Sequence, residues 1–162
     1  MPRSNVPTEV RFGIHDAIFA YAWALDRADA DGIADTFTSD CVLKNASGDE
    51  YHGRDGIKAF AERAFHQAGF AGRQHHVQPL FIEPDGDGWK MTSYWMAVTW
   101  DYNRAPQVLM IGWYEDRYAL ENGEWLCQSK VITRWDSSSA PMAGPSSAMP
   151  GSALQFQGHR GA

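Results

Sequence analysis

The sequence is poor in cysteine: Cys41 and Cys127 are the only two, and they stand far apart. That excludes a disulfide framework, and nothing else points to an oxidising compartment, so two buried thiols and the cytoplasm are expected. Clusters of Lys and Arg are also missing, and the formal net charge is −6. Nucleic acid and anionic membrane surfaces are therefore not expected partners. No apolar run approaches the roughly 20 residues that a membrane-spanning helix needs. The opening stretch MPRSNVPTEVRFG lacks the apolar core and cleavage site of a secretory leader. There is no CxxC, HExxH, P-loop or GxSxG, and no GxGxxG between a strand and a helix. His15, His52, His66 and His159 show no metal-ligand spacing with one another or with a cysteine. A cofactor-free protein is the expectation, with no metal, nucleotide or covalent nucleophile.

Aromatic residues are plentiful. Seven tryptophans in 162 residues, with 44% hydrophobic residues overall, suit one folded domain with a pocket or a subunit interface. The first element is expected from about Thr8 to Asp26, with Thr8 as N-cap and Glu9 in the first turn. Val10, Ile14, Ile18, Tyr21 and Leu25 form one stripe; Phe12, Phe19 and Trp23 form another on nearly the opposite side. A helix apolar on two sides is expected to be covered on both. After the break DRADADG come a short helix from about Ala30 to Phe37, a short strand CVLKNA, a turn GDEYHG and a helix from Arg54 to Gln67.

From Arg73 to Trp135 the pattern is of strands: QHHVQPLFIE, WKMTSYWMAVTW, QVLMIGWYEDRYAL and WLCQSKVITRW, separated by PDGDG, DYNRAP and ENGE. Strands joined by such short turns pair antiparallel. Gly112, inside the third of them, suggests a bulge or bend. Helices first and a meander afterwards imply an α+β fold, with a cone-shaped, curved antiparallel sheet packed on N-terminal helices around an apolar pocket. Residues 1–136 form that domain. Residues 137–162 form a Pro/Gly/Ser-rich tail, expected to pack on its own or a neighbouring subunit through Met142, Met149, Leu154 and Phe156.

Two kinds of residue could carry chemistry. Asp26 falls at the C-terminal end of the first helix, where the macrodipole disfavours a carboxylate. It is either a solvated helix-end residue, like Asp29 and Asp31, or a partnered one. His75 and His76 are neighbours on a strand and point to opposite faces, so one of them faces the interior. An interior His held by a buried Asp makes a base and its orienter.

The segments YAWALDRADADGIADTFTSDCVL, YHGRDGIKAF, RQHHVQPLFIEPDGD and GWYEDRYALENGEWL resemble the SnoaL-like branch of the nuclear-transport-factor-2-like superfamily, over roughly residues 8 to 135. That group includes scytalone dehydratase, hexachlorocyclohexane dehydrochlorinase and bile-acid 7α-dehydratase. The resemblance implies a cystatin-like α+β barrel. It also implies a catalytic pair of Asp26 and His75, with His75 rather than His76 in the family position. Tyr21 matches a tyrosine of the bile-acid enzyme. Trp95 stands where scytalone dehydratase has a second active-site His, and Asn45 stands near its short-strand Tyr, which argues against the same substrate.

The expected function is a cofactor-independent lyase acting on a small hydrophobic cyclic or aromatic compound. In that reading Tyr21, Asn45 and Arg134 polarise a substrate oxygen, while Trp23, Trp95 and Trp113 form the apolar wall. A non-catalytic ligand-binding or scaffold subunit, like a ring-hydroxylating dioxygenase β subunit, and a polyketide cyclase are the alternatives. The two-sided helix and the dehydratase relatives imply a homo-oligomer, a trimer before a dimer.

Overall fold

The computed structural model describes residues 5–67, 70–101 and 104–135; the expected tail lies outside them. Three helices, α1 (Thr8–Asp26), α2 (Ala30–Asp35) and α3 (Gly53–Phe65), come with six strands: β1 (Phe37–Lys44), β2 (Glu50–His52), β3 (Arg73–Asp85), β4 (Gly88–Asp101), β5 (Arg104–Glu121) and β6 (Glu124–Arg134). They form the expected α+β fold, with one curved sheet in the order β2-β1-β6-β5-β4-β3.

Each element follows from its residues, with three departures from expectation. Helix α1 has the expected span, but Thr8 is its first residue; Pro7 occupies the cap position and supplies no side-chain bond. Helix α2 ends at Asp35, and Phe37 already belongs to a strand. The β-branched and aromatic stretch FTSDCVL is better suited to an extended pleat than to a second helical turn. GDEYHG, read as a turn, contains the short strand β2, antiparallel to β1 with Val42 opposite His52.

Strands β3 to β6 form the expected antiparallel meander. The β5–β6 connection is the two-residue loop Asn122–Gly123, with φ of 54° and 86°. Both central residues of a type I′ hairpin require positive φ, which explains why Asn-Gly is there. Strand β1 closes the arrangement by pairing parallel to β6, with Leu43 opposite Lys130.

Pairing runs unbroken through Gly112; the register shifts of the meander lie elsewhere, between Pro79 and Phe81, between Ala97 and Val98, between Thr99 and Asp101, and between Arg117 and Tyr118. Gly112 is needed for a different reason. A Cβ there would stand 2.0 Å from the Thr133 carbonyl oxygen and 2.8 Å from Trp95 Nε1. The missing side chain lets the Trp95 indole lie across β5 and donate to that carbonyl at 3.3 Å.

The core lies between the concave face of the sheet and the helices, with α1 packed on β3 and β6 and α3 packed on β1. Ile14, Ile18, Ile33 and Ile57 are fully buried there, each contributing about 1.5–3 kcal/mol. The first stripe of α1 enters this core. The second does not: Phe12, Phe19 and Trp23 are 61%, 49% and 65% exposed on the single chain.

Candidate active site

Strand β3 alternates cleanly. Arg73, His75 and Val77 are half-buried on the inner face, whereas Gln74, His76 and Gln78 are exposed. The two histidines thus part company as the pleat requires, and His75 is the inner one. His76 bonds outward to Gln74, 3.1 Å away.

Helix α1 ends directly over His75. The imidazole Nδ1 lies 2.6 Å from Asp26 Oδ1, and the backbone N–H of His75 donates to the same carboxylate at 2.9 and 3.1 Å. A carboxylate at a helix C-terminus opposes the helix dipole; two donors from β3 compensate it. Because the carboxylate only accepts, the proton belongs on Nδ1 and Nε2 is left as the acceptor. Burial lowers the pKa of His75 below its ordinary value, outweighing the upward pull of Asp26; Arg73 and His76 push in the same direction as burial. The base form of the imidazole is therefore the one present at neutral pH.

His75 also lines a cavity of about 130 Å³. Its apolar wall includes Phe60, Phe70, Trp95, Met110 and Ile132, and Tyr114, Arg73 and Arg134 supply polar groups. The Phe70 ring lies 6.5 Å from the imidazole. Among the described residues no group of His, Cys, Asp and Glu is placed to hold a metal ion. A larger cleft of about 250 Å³ on the outer face of the sheet touches His76, Tyr94, Ile111 and Trp135. The histidine of that cleft bonds an amide, Gln74, and not a carboxylate, so the base–orienter pair belongs to the inner cavity.

Of the residues singled out in the sequence, the structure brings Asp26, His75, Trp95, Asn45 and Arg134 to the inner cavity or its edge. The Asn45 amide is engaged in its own turn: Oδ1 accepts from the Ser47 and Asp49 backbones at 2.9 Å each, and Nδ2 donates to Asp49 at 3.1 Å. Tyr21 is not on the wall. It is 2% exposed in the core, and its hydroxyl has no hydrogen-bond partner among the described residues. Trp23 points outward on α1, with the Arg27 guanidinium 5.5 Å from its ring centre. Trp113 lies on the outer face, edge-on to Trp135 at 6.2 Å.

Tyr114 and Arg73 are two polar wall residues that were not singled out from the sequence. Tyr114 is one residue along from Trp113 and therefore on the opposite face. It stacks on Trp95 at 5.5 Å with an 11° interplanar angle, and Lys130 Nζ stands 4.0 Å from its ring centre. Arg73 shares the inward parity of His75, which was the signal available for it.

Beyond Tyr114 lies a second buried pair. Lys130 Nζ donates to Asp116 Oδ2 at 2.7 Å with side chains 1% and 0% exposed, and Tyr118 donates to the same oxygen at 3.2 Å. Burial pushes the Asp116 carboxyl above its ordinary range, against the pull of Lys130.

Residues 7–131 match the family model of the SnoaL-like domain. The chain belongs to the SnoaL-like family. The fold of this SnoaL-like protein is shared with solved structures of low identity. An NTF2-like protein with a cystatin-like fold from Novosphingobium aromaticivorans matches with a TM-score of 0.73 at 19% identity, over 82% of this chain and 86% of that one. ActVI-ORFA from Streptomyces coelicolor matches with 0.71 at 24%, over 79% and 96%. A candidate scytalone dehydratase from N. aromaticivorans matches with 0.63 at 20%, over 78% and 84%. Among curated proteins none matches this SnoaL-like sequence.

Proposed function

We propose that the protein is a cofactor-independent lyase, a dehydratase or a related β-eliminating enzyme, acting on a small cyclic or aromatic compound. The observation that carries this reading is the 2.6 Å contact between His75 and Asp26 at the wall of an apolar cavity. His75 Nε2 removes a proton from a substrate carbon. The C–H electron pair becomes the new C=C bond, and the β C–O bond breaks with its electrons on oxygen. The imidazolium returns the proton to the departing hydroxide, which leaves as water. Asp26 fixes the tautomer and stabilises the cation that His75 becomes in the middle of the step. Tyr114, Arg73 and Arg134 are placed on the wall to hydrogen-bond or charge-pair with a substrate oxygen.

The His75→Ala variant tests this. With circular dichroism unchanged, turnover of hydroxylated cyclic substrates falls to background. Full turnover by that variant rejects the mechanism and leaves a binding or scaffold role. Self-association, a trimer first, is part of the same proposal; it is supported by the exposed Phe12, Phe19 and Trp23 on α1 and is measured by sedimentation. No described helix is long and apolar enough to cross a membrane.

A further inference from the structure

A groove separate from the His75 cavity runs between α1 and the β5–β6 hairpin, with a volume of about 860 Å³. Its floor is apolar and low. Gly13, Ala17 and Ala20 recur at helical spacing on α1, between the core stripe and the exposed stripe of Phe12, Phe19 and Trp23. Trp125 of the hairpin lies against them: a Cβ on Gly13 would stand 2.5 Å from its indole, so helix and hairpin touch at the bottom. Leu120 is left 58% exposed on the hairpin side. The rim is acidic. It carries Glu9 and Asp16 of α1, Asp35 at the end of α2 and Glu124 at the start of β6, all four exposed. Among the described residues no Lys or Arg lines the groove. An apolar floor under a rim of one sign fits an apolar segment that carries the opposite sign.

The chain itself contains such a segment. All 20 acidic residues precede position 137. Residues 137–162, which lie outside the described ones, hold Arg160 and His159 and no carboxylate side chain, with Met149, Leu154 and Phe156 as apolar anchors. Reach also fits. Leu126 lies on the groove and Arg134 ends the same strand, about 26 Å away at roughly 3.3 Å per residue. About 20 residues separate Trp135 from Leu154 and Phe156, and a flexible stretch of that length spans roughly 25 Å on average. A tether whose mean span matches the distance to be bridged gives the highest effective concentration, in the millimolar range. A second copy at micromolar concentration does not compete with that, and its own acidic rim is repelled by this one.

We propose that residues 149–160 of this same chain dock in the groove, with Leu154 and Phe156 on the floor formed by Gly13, Ala17 and Leu120, and Arg160 at the acidic rim. The docking is independent of the chemistry at His75.

The full chain is tested with p-benzoylphenylalanine in place of Phe156. On irradiation at micromolar concentration, cross-links are expected in residues 9–20 or 120–126 of the same molecule, at a yield unchanged by about tenfold dilution. Asp16→Lys combined with Glu124→Lys changes two exposed rim positions, with folding checked by circular dichroism. That pair lowers the yield about threefold or more, the worth of a surface ion pair, and adding Arg160→Glu to it restores the yield. Chymotrypsin cleavage after the natural Phe156 reads the same docking without the cross-linker, and it is faster in the rim-reversed chain. Cross-links confined to other surfaces, a yield that falls with dilution, no intramolecular cross-link, or yield and cleavage both indifferent to rim reversal overturns the proposal.

Discussion

Two buried ion pairs sit within one tyrosine of each other and make opposite use of the same chemistry. Lys130–Asp116 is sealed: the side chains are 1% and 0% exposed, and the ammonium lies between the rings of Tyr21 and Tyr114 at 4.5 and 4.0 Å. His75–Asp26 is just as short, with side chains 7% and 16% exposed, but its imidazole faces a cavity. A pair with every direction blocked by protein can only hold the structure. A pair with one open edge can exchange a proton with a guest. Tyr114 touches both worlds: its ring covers Lys130 and it lines the cavity that holds His75.

The comparison can be broken from either side. The largest effect expected is on rate. His75→Ala removes the proposed base and lowers turnover by about 10²–10⁴-fold. It costs only about 1 kcal/mol of stability, because Asp26 keeps the backbone donor of residue 75. Lys130→Ala does the reverse. It strands Asp116 in the core and destabilises by about 3–5 kcal/mol in urea unfolding. The double change Lys130→Met with Asp116→Leu recovers most of that loss, which confirms a purely structural pair. A double variant as unstable as the single one refutes the assignment.

A pH profile sharpens the contrast at smaller cost. Because burial lowers the His75 pKa from its ordinary 6.5, the unfolded chain binds the proton more readily than the folded one. His75 therefore contributes stability above pH 6.5 that is lost as pH falls through the folded value. The rate follows the same limb, with kcat/KM rising below pH 6.5 and level by pH 7. Asp26→Asn removes the one partner pulling the pKa up, so its limb moves to still lower pH while the plateau rate drops. A limb above pH 7 in wild type contradicts the assignment of His75 as the base. The smallest effect is expected on the far side of α1: Trp23→Ser leaves kcat/KM within about twofold, since surface changes are usually small, and shows itself in sedimentation instead.

Much of this site was legible before any coordinates. The 3.6-residue stripe of α1 places Asp26 at a helix end. The period of two in RQHHVQP separates His75 from His76, and the family pattern chooses between them. Tyr114 was missed by a single residue in favour of Trp113, because periodicity gives two faces but not which of them is inside. Asn45 looked like a pocket group, yet its amide is engaged in the turn it sits in, a competition that Asn residues often resolve locally. Gly112 was read as a bulge or bend; pairing runs through it without a bulge, and its missing side chain makes space for the Trp95 indole. That demand comes from a neighbouring strand and leaves no trace in the local pattern.

The sequence by itself determined the helices, the β3–β6 meander, the Asn122–Gly123 turn and the separation of His75 from His76, since each depends on periodicity or on the φ angles of adjacent residues; the choice of His75 as the inward one came from the family resemblance. Only the tertiary structure decided which face of β5 is inside, that β1 pairs parallel to β6, that Lys130 meets Asp116, and that Arg73 and Arg134 share a cavity with His75. Those are encounters between residues far apart in the chain. They are set by how a curved sheet closes over its helices, and no window of neighbouring residues carries that information.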